Sequence, residues 1–195
     1  MNRESTDNRS EAWLQTSRHG DPDAFGKLVE KYQREVYGLI LRLTHNEALA
    51  DDLTQETFLS AWQKLSGFRE ISSLRSWLLT IALNKVRSYW RWKKLRNWLS
   101  LGSVQNEQGQ TLEETIPDLS RKADPASVFE DANFEDHFQT SLSKLPVRQR
   151  EVIGLRAQGL NIDEIACVLK MAEGTVKAHI FHAKEKLQEK MEIKA

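Results

Sequence analysis

Apolar residues return every three or four positions along most of the chain, which predicts helices, and one long stretch breaks the pattern. Asp21 before Pro22 opens the first strong run: a carboxylate can accept from the free N–H groups of a first turn, and proline loses nothing there. Phe25, Leu28, Val29, Tyr32, Val36, Leu39, Ile40 and Leu43 follow at helical steps, to about His45. Asn46 is the expected cap of a second helix. Leu49, Leu53, Thr57, Ala61, Trp62 and Leu65 line one of its faces, and Asp52, Gln55, Glu56 and Leu59 gather on another. The segment SGFREISS at 66–73 is a loop by composition. Ser73 is placed to cap a long helix from Leu74 whose buried stripe holds Trp77, Leu78, Ile81 and Ala82.

Regularity fails from about Ser100. Gly102, Gly109, Pro117 and Pro125 interrupt the chain, and its charges there are mainly Glu107, Glu113, Glu114, Asp118 and Asp124, the composition of a flexible acidic linker. Periodicity returns near Val128. Ile162, Ile165, Ala166 and Leu169 form one apolar edge, KMAEG interrupts, and Val176, Ile180, Ala183 and Leu187 form another. The expected fold is all-α: two small helical domains, 1–99 and 128–195, joined by a linker at 100–127, the second containing a helix-turn-helix. In that motif the second helix enters the DNA major groove, lysines hold phosphates, and side chains near the helix start reach base edges. Thr175, Lys177, His179 and His182 lie on the polar sides of the second pattern.

Charge sharpens the picture only locally. The 195 residues carry 28 Lys and Arg against 28 Asp and Glu, which excludes a uniformly basic nucleic-acid coat but not a patch. One patch is NKVRSYWRWKKLRNW at 84–98, where Lys85, Arg87, Arg91, Lys93, Lys94 and Arg96 stand among Tyr89, Trp90, Trp92 and Trp98 without a carboxylate. The single Cys167 excludes an intramolecular disulfide and reads as a small buried apolar residue. The apolar run WLLTIAL is far shorter than the roughly 20 residues a bilayer requires, and the polar MNRESTDNRSE lacks a secretory apolar segment, so a soluble cytoplasmic protein is expected. Asp51, Asp52 and Glu56 have no Glu-x-x-His companion, and His179, His182 and Cys167 have no tight chelating spacing. No metal, cofactor or catalytic residue is therefore expected.

EIACVL…GTVKAHI resembles the DNA-binding end of two families, the sigma-70 type transcription initiation factors and the LuxR-type regulators. A LuxR-type response regulator would usually add an α/β receiver, and no such strand alternation precedes this segment. Instead, GDPDAFGKLVEKYQREVYGLILRLTHNEALADDLTQETFLSAWQKL, continued by FREISSLRSWLLTIALNKVRSYWR, resembles the second domain of the small sigma factors of the extracytoplasmic-function (ECF) group. The resemblance implies an alternative sigma factor and no enzyme. Its implied partners are core RNA polymerase, whose β′ clamp helices would meet Asp52, Gln55, Glu56 and Leu59; promoter DNA; and an inhibitory anti-sigma factor, often membrane-anchored. The −10 element would be opened along Asn84, Lys85, Arg87 and Arg91, and the −35 element bound by Thr175, Lys177, His179 and His182. The rivals are a LuxR-like regulator of duplex DNA acting without polymerase, and a helical hydrolase using Asp51, Asp52 and Glu56.

Strand opening without ATP needs a return for the few kcal/mol that each flipped base costs, and stacking on aromatics returns roughly 1 to 3 kcal/mol per base. Trp62 and Trp77 go to the core on periodicity, Tyr89 is an inward candidate, and Trp90, Trp92 and Trp98 stay open between bases, polymerase and apolar cover. The chain departs from the family pattern at Ser88, where many relatives are acidic, and at Lys170, where glycine is usual. It departs again at Ala178, His179 and His182, where serine and arginines are frequent. TVKAH is closer to LuxR spelling.

Overall fold

The computed structural model describes residues 12–68, 73–100 and 140–192, and among them there are helices and turns but no strand. Helix α1 covers 12–18, α2 Pro22–Thr44, α3 Glu47–Lys64, α4 Leu74–Ser100, α5 Val147–Ala157, α6 Ile162–Leu169 and α7 Glu173–Glu192. A 3-10 turn at Leu65–Gly67 follows α3, and a helical turn at 140–143 precedes α5. Residues 69–72 of the expected loop, 101–127 of the expected linker, and Val128 lie outside the described residues. The chain forms two compact units, Met1–Val86 and Arg87–Ala195.

In the first unit the expected caps are in place. Asp21 Oδ1 accepts from the N–H groups of Asp23 and Ala24 at 2.9 and 3.2 Å, and Asn46 Oδ1 from Leu49 N–H at 2.8 Å. Ser73 Oγ accepts from Ser76 N–H at 3.2 Å. Helix α2 ends on His45 at φ 50°, whose N–H reaches back to the Leu41 carbonyl at 2.8 Å, a left-handed C-terminal stop. Leu39 and Ile40 are fully buried, each contributing about 1.5–3 kcal/mol by leaving water. The buried positions of α3 are Ala50, Leu53, Thr57, Phe58 and Ala61. The Thr57 hydroxyl donates to the Leu53 carbonyl at 2.6 Å, so this polar group enters the core already satisfied within its own helix. Arg75 Nε donates to Glu35 Oε1 at 2.6 Å and ties α4 to α2.

No helix is expected before Asp21 on sequence, whereas α1 sets Leu14 in a cluster with Leu28, Leu65 and Phe68. Trp13, Phe25, Tyr32, Leu74 and Trp77 pack around that cluster, and Arg18 donates to the Phe68 carbonyl. Trp62 and Trp77 are half-buried at the rim of the core, each 4.9 Å from a phenylalanine ring, Phe25 and Phe68 respectively. Trp90, one of the three indoles that periodicity does not place, is buried.

In the second unit, α7 packs on α5 and α6. Leu142, Leu145, Val152, Leu155, Leu160, Ile165, Val168, Leu169, Val176, Ala183 and Leu187 are buried. The stop of α5 is a Schellman turn: Gly159 at φ +81° bonds the Arg156 carbonyl at 2.9 Å, and Leu160 bonds that of Leu155 at 3.3 Å. Asn161 and Glu164 then form a reciprocal capping box for α6, with bonds of 2.9 and 2.8 Å. The same stop recurs after α6 without glycine: Lys170 sits at φ 54° and bonds the Cys167 carbonyl at 3.3 Å, and Met171 bonds that of Ala166 at 3.0 Å. Cys167 corrects the expectation of a buried residue. It is exposed, because Ile165, Val168 and Leu169 fill the inward stripe of this short helix and leave Cys167 off it.

Candidate functional site

Three surfaces hold the candidate residues. On α3, Asp52, Gln55, Glu56 and Leu59 are all exposed and, at steps of three and four, share one face. Leu59 is 63% exposed while its neighbour Phe58 is 7% exposed, so helical phase separates an outward leucine from the core stripe. An apolar side chain framed by carboxylates and an amide has the composition of a protein-docking face. Glu56 Oε2 also meets Lys85 Nζ at 3.1 Å, which links this surface to α4 within the first unit. Such an exposed pair contributes well under about 1 kcal/mol, so it can exchange for other partners.

On α4, Asn84, Ser88 and Arg91 are exposed and lie on one face. Arg87 is placed differently. Its Nε and Nη2 donate to Glu151 Oε1 and Oε2 at 2.6 and 2.8 Å, and Arg148 Nη1 donates to Glu151 Oε2 at 3.2 Å. Hydrogen bonding to Glu151 holds the Arg87 guanidinium above its ordinary value against the opposing effect of burial. Nearby, burial lowers Arg150 from its ordinary value, while its Nη2 caps the Ser143 and Leu145 carbonyls. The structure therefore brings Asn84, Lys85 and Arg91 to accessible positions and commits Arg87 to a carboxylate.

On α7, Thr175, Lys177 and His182 are exposed, and His179, on the same side as Thr175 and His182, is half-buried. Lys177 Nζ lies 3.9 Å from Glu173, and His182 Nδ1 lies 3.2 Å from Glu185. Phe181, 60% exposed, stands outward beside them, a residue that no sequence expectation covers. The signal was available: Val176, Ile180, Ala183 and Leu187 fix the inward stripe, which puts Phe181 on the opposite side with Ala178. Among the described residues, no group of three or more His, Cys, Asp and Glu is gathered to hold a metal, and no helix is long and apolar enough to cross a membrane.

Residues 28–96 match the Sigma-70 region 2 family and residues 136–187 the Sigma-70 region 4 family. Over 188 residues the chain is 28% identical to the RNA polymerase sigma-H factor of Pseudomonas aeruginosa, covering 96% of both chains. It is 30% identical over 173 residues to the ECF RNA polymerase sigma factor SigW of Bacillus subtilis, covering 88% of this chain and 91% of that one. Among solved structures it resembles CnrH in complex with the cytosolic domain of CnrY, with a TM-score of 0.70, 25% identity, and coverage of 96% and 99%. The sigma factor RpoE of Bartonella quintana, in complex with the anti-sigma factor NepR, gives a TM-score of 0.65 and 26% identity, covering 88% and 98%.

Proposed function

Because the chain belongs to the sigma-70 family of RNA polymerase sigma factors, in its extracytoplasmic-function group, we propose that its three exposed surfaces divide the work of promoter-specific initiation. The chain is an alternative sigma factor, acting by binding in the cytoplasm and carrying no catalysis of its own. Asp52, Gln55, Glu56 and Leu59 dock on the β′ clamp helices of core polymerase, and the 63% exposure of Leu59 beside three polar groups carries this reading. Asn84, Lys85 and Arg91 follow the opened −10 strand. Lys85 exchanges Glu56 for phosphate, and Arg87 joins only by exchanging Glu151. Thr175, Lys177, His179 and His182 meet the −35 duplex from α7.

The functional division follows residues 1–99 for polymerase and −10 binding, 100–127 for the linker and 128–195 for −35 binding. CnrH and RpoE were each solved with a partner protein, and an anti-sigma factor is the corresponding partner proposed for this chain. The LuxR-like reading loses its ground, since residues 28–96 match region 2 of sigma-70. Run-off transcription tests the whole reading. The purified chain plus core polymerase should give discrete transcripts from a genomic promoter library that neither gives alone. No transcript and no complex with core would refute it, while a shift of duplex DNA by the chain alone would favour a polymerase-independent regulator.

A further inference from the structure

Helix α4 continues beyond the side chains that bury it. Trp90 is the last of its described side chains to be buried, yet the helix runs to Ser100. Trp92, Leu95 and Trp98 on this extension are 54%, 54% and 67% exposed. At roughly 100° per residue they form one stripe about 9 Å long, with Lys94 along one edge and Arg96 along the other. No acid stands anywhere between Arg91 and Trp98. The Arg96 guanidinium lies 4.4 Å from the centroid of the Trp92 ring, so cation and indole already form one surface. Apolar side chains gathered outward inside a polar rim mark an interaction face, and this one wants an occupant that is apolar in its middle and acidic at its margins.

We propose that in the free chain this face is occupied by the chain's own linker: Leu112, Ile116 and Leu119 pack on Trp92, Leu95 and Trp98, and Glu113, Glu114 and Asp118 meet Lys94 and Arg96. The inference concerns the chain before any partner binds and stands apart from the sigma-factor reading. Charge chooses the occupant first. From Leu99 to Ser120 there are four acids and no Lys or Arg, and three of those acids are interleaved with the three apolar anchors. The tether chooses it next. Leu112 follows Ser100 by only twelve positions, which include Gly102, Ser103 and Gly109. A flexible tether of that length has a root-mean-square span of about 20 Å, more than the length of the stripe, and presents the segment at an effective concentration on the order of 1 mM. The chain has one other acidic stretch with large apolar residues, at 129–138, but Phe134 and Phe138 continue by steps of four into the buried Leu142 and extend the inward stripe of the second unit. Leu112, Ile116 and Leu119 belong to the periodicity of neither domain.

The test follows the indole N–H resonances of the full-length chain by NMR, with those of Trp92 and Trp98 assigned through Trp92→Phe and Trp98→Phe. One linker variant combines Leu112→Ser, Ile116→Ser and Leu119→Ser, and another combines Glu113→Gln, Glu114→Gln and Asp118→Asn; neither touches a helical core. Both should shift the Trp92 and Trp98 resonances and leave those of Trp13, Trp62 and Trp77 in place. A synthetic peptide of residues 109–121 added to the serine variant should restore the wild-type positions with a Kd of about 0.1–1 mM, and salt at about 0.5 M should weaken it several-fold. Resonances of Trp92 and Trp98 that ignore both linker variants overturn the proposal. A peptide Kd above about 10 mM overturns it too, because the tether would then hold the segment in place only about a tenth of the time. Wild-type positions that change on dilution would assign the face to a second copy. Linker variants that are silent, while added duplex or core polymerase moves the two resonances, would assign it to that partner; either result refutes the linker as occupant.

Discussion

Glu151 offers a test of whether Arg87 is a structural or a mobile cation. Its side chain is 3% exposed and accepts from Arg87 at 2.6 and 2.8 Å and from Arg148 at 3.2 Å. Hydrogen bonds to charged groups contribute about 1.5–3 kcal/mol each, but water recovers part of that for partners exposed by 28% and 47%. Glu151→Ala leaves two guanidiniums facing each other and should destabilise the second unit by about 3 kcal/mol. Arg87→Ala should cost about 2 kcal/mol, because a carboxylate with little access to water then keeps only the longer bond to Arg148. The double variant should lose less than the sum, by a coupling of about 2 kcal/mol. Native-state hydrogen exchange of the α5 amides reads this locally, free of any separate opening of the first unit. A coupling below about 0.5 kcal/mol would refute the reasoning and leave Arg87 free for a DNA phosphate.

Lys170→Gly should raise the stability of the second unit by about 0.5–1 kcal/mol by relieving a side chain held at φ 54°, measured by urea unfolding; a loss would mean the lysine makes a compensating contact. Leu59→Ala should leave unfolding within about 0.5 kcal/mol of wild type and weaken the complex with core polymerase about tenfold. Unchanged affinity would remove Leu59 from the docking face. Arg91→Gln should reduce open-complex formation, followed by permanganate reactivity of unpaired thymines, by several-fold with core binding intact. Equal loss of both activities would contradict the division of surfaces.

Features coded by neighbours in sequence were legible before any coordinates. Asp21, Asn46 and Ser73 cap the helices they precede, and the four residues from Asp52 to Leu59 share the face their spacing predicts. What escaped depends on distant partners or on competition for limited inward space. The Trp13 and Leu14 pair sits in a polar context, and only packing against Leu28, Leu65 and Phe68 makes it core. Nothing adjacent to Arg87 forecasts a carboxylate 64 positions away. Trp90 and Trp92, two positions apart, lie on opposite sides of α4; packing decides which side faces in, and Trp90, four residues after the buried Val86, is on it while Trp92 is open. Lys170 shows the converse: an unfamiliar residue leaves the turn intact, because backbone hydrogen bonds to Cys167 and Ala166 specify it.

The outward Cys167 gives the molecule a ready attachment point. It is the chain's sole thiol, so a maleimide dye adds at one place without engineering, on the first helix of the helix-turn-helix pair. Emission from that label can follow the arrival of duplex or of an inhibitory partner at this end of the molecule. The same exposure lets two copies join by a Cys167–Cys167 disulfide when reductant is absent, dissolved oxygen taking up the two electrons and two protons. Apparent dimers in such a preparation should vanish with dithiothreitol, and with Cys167→Ser.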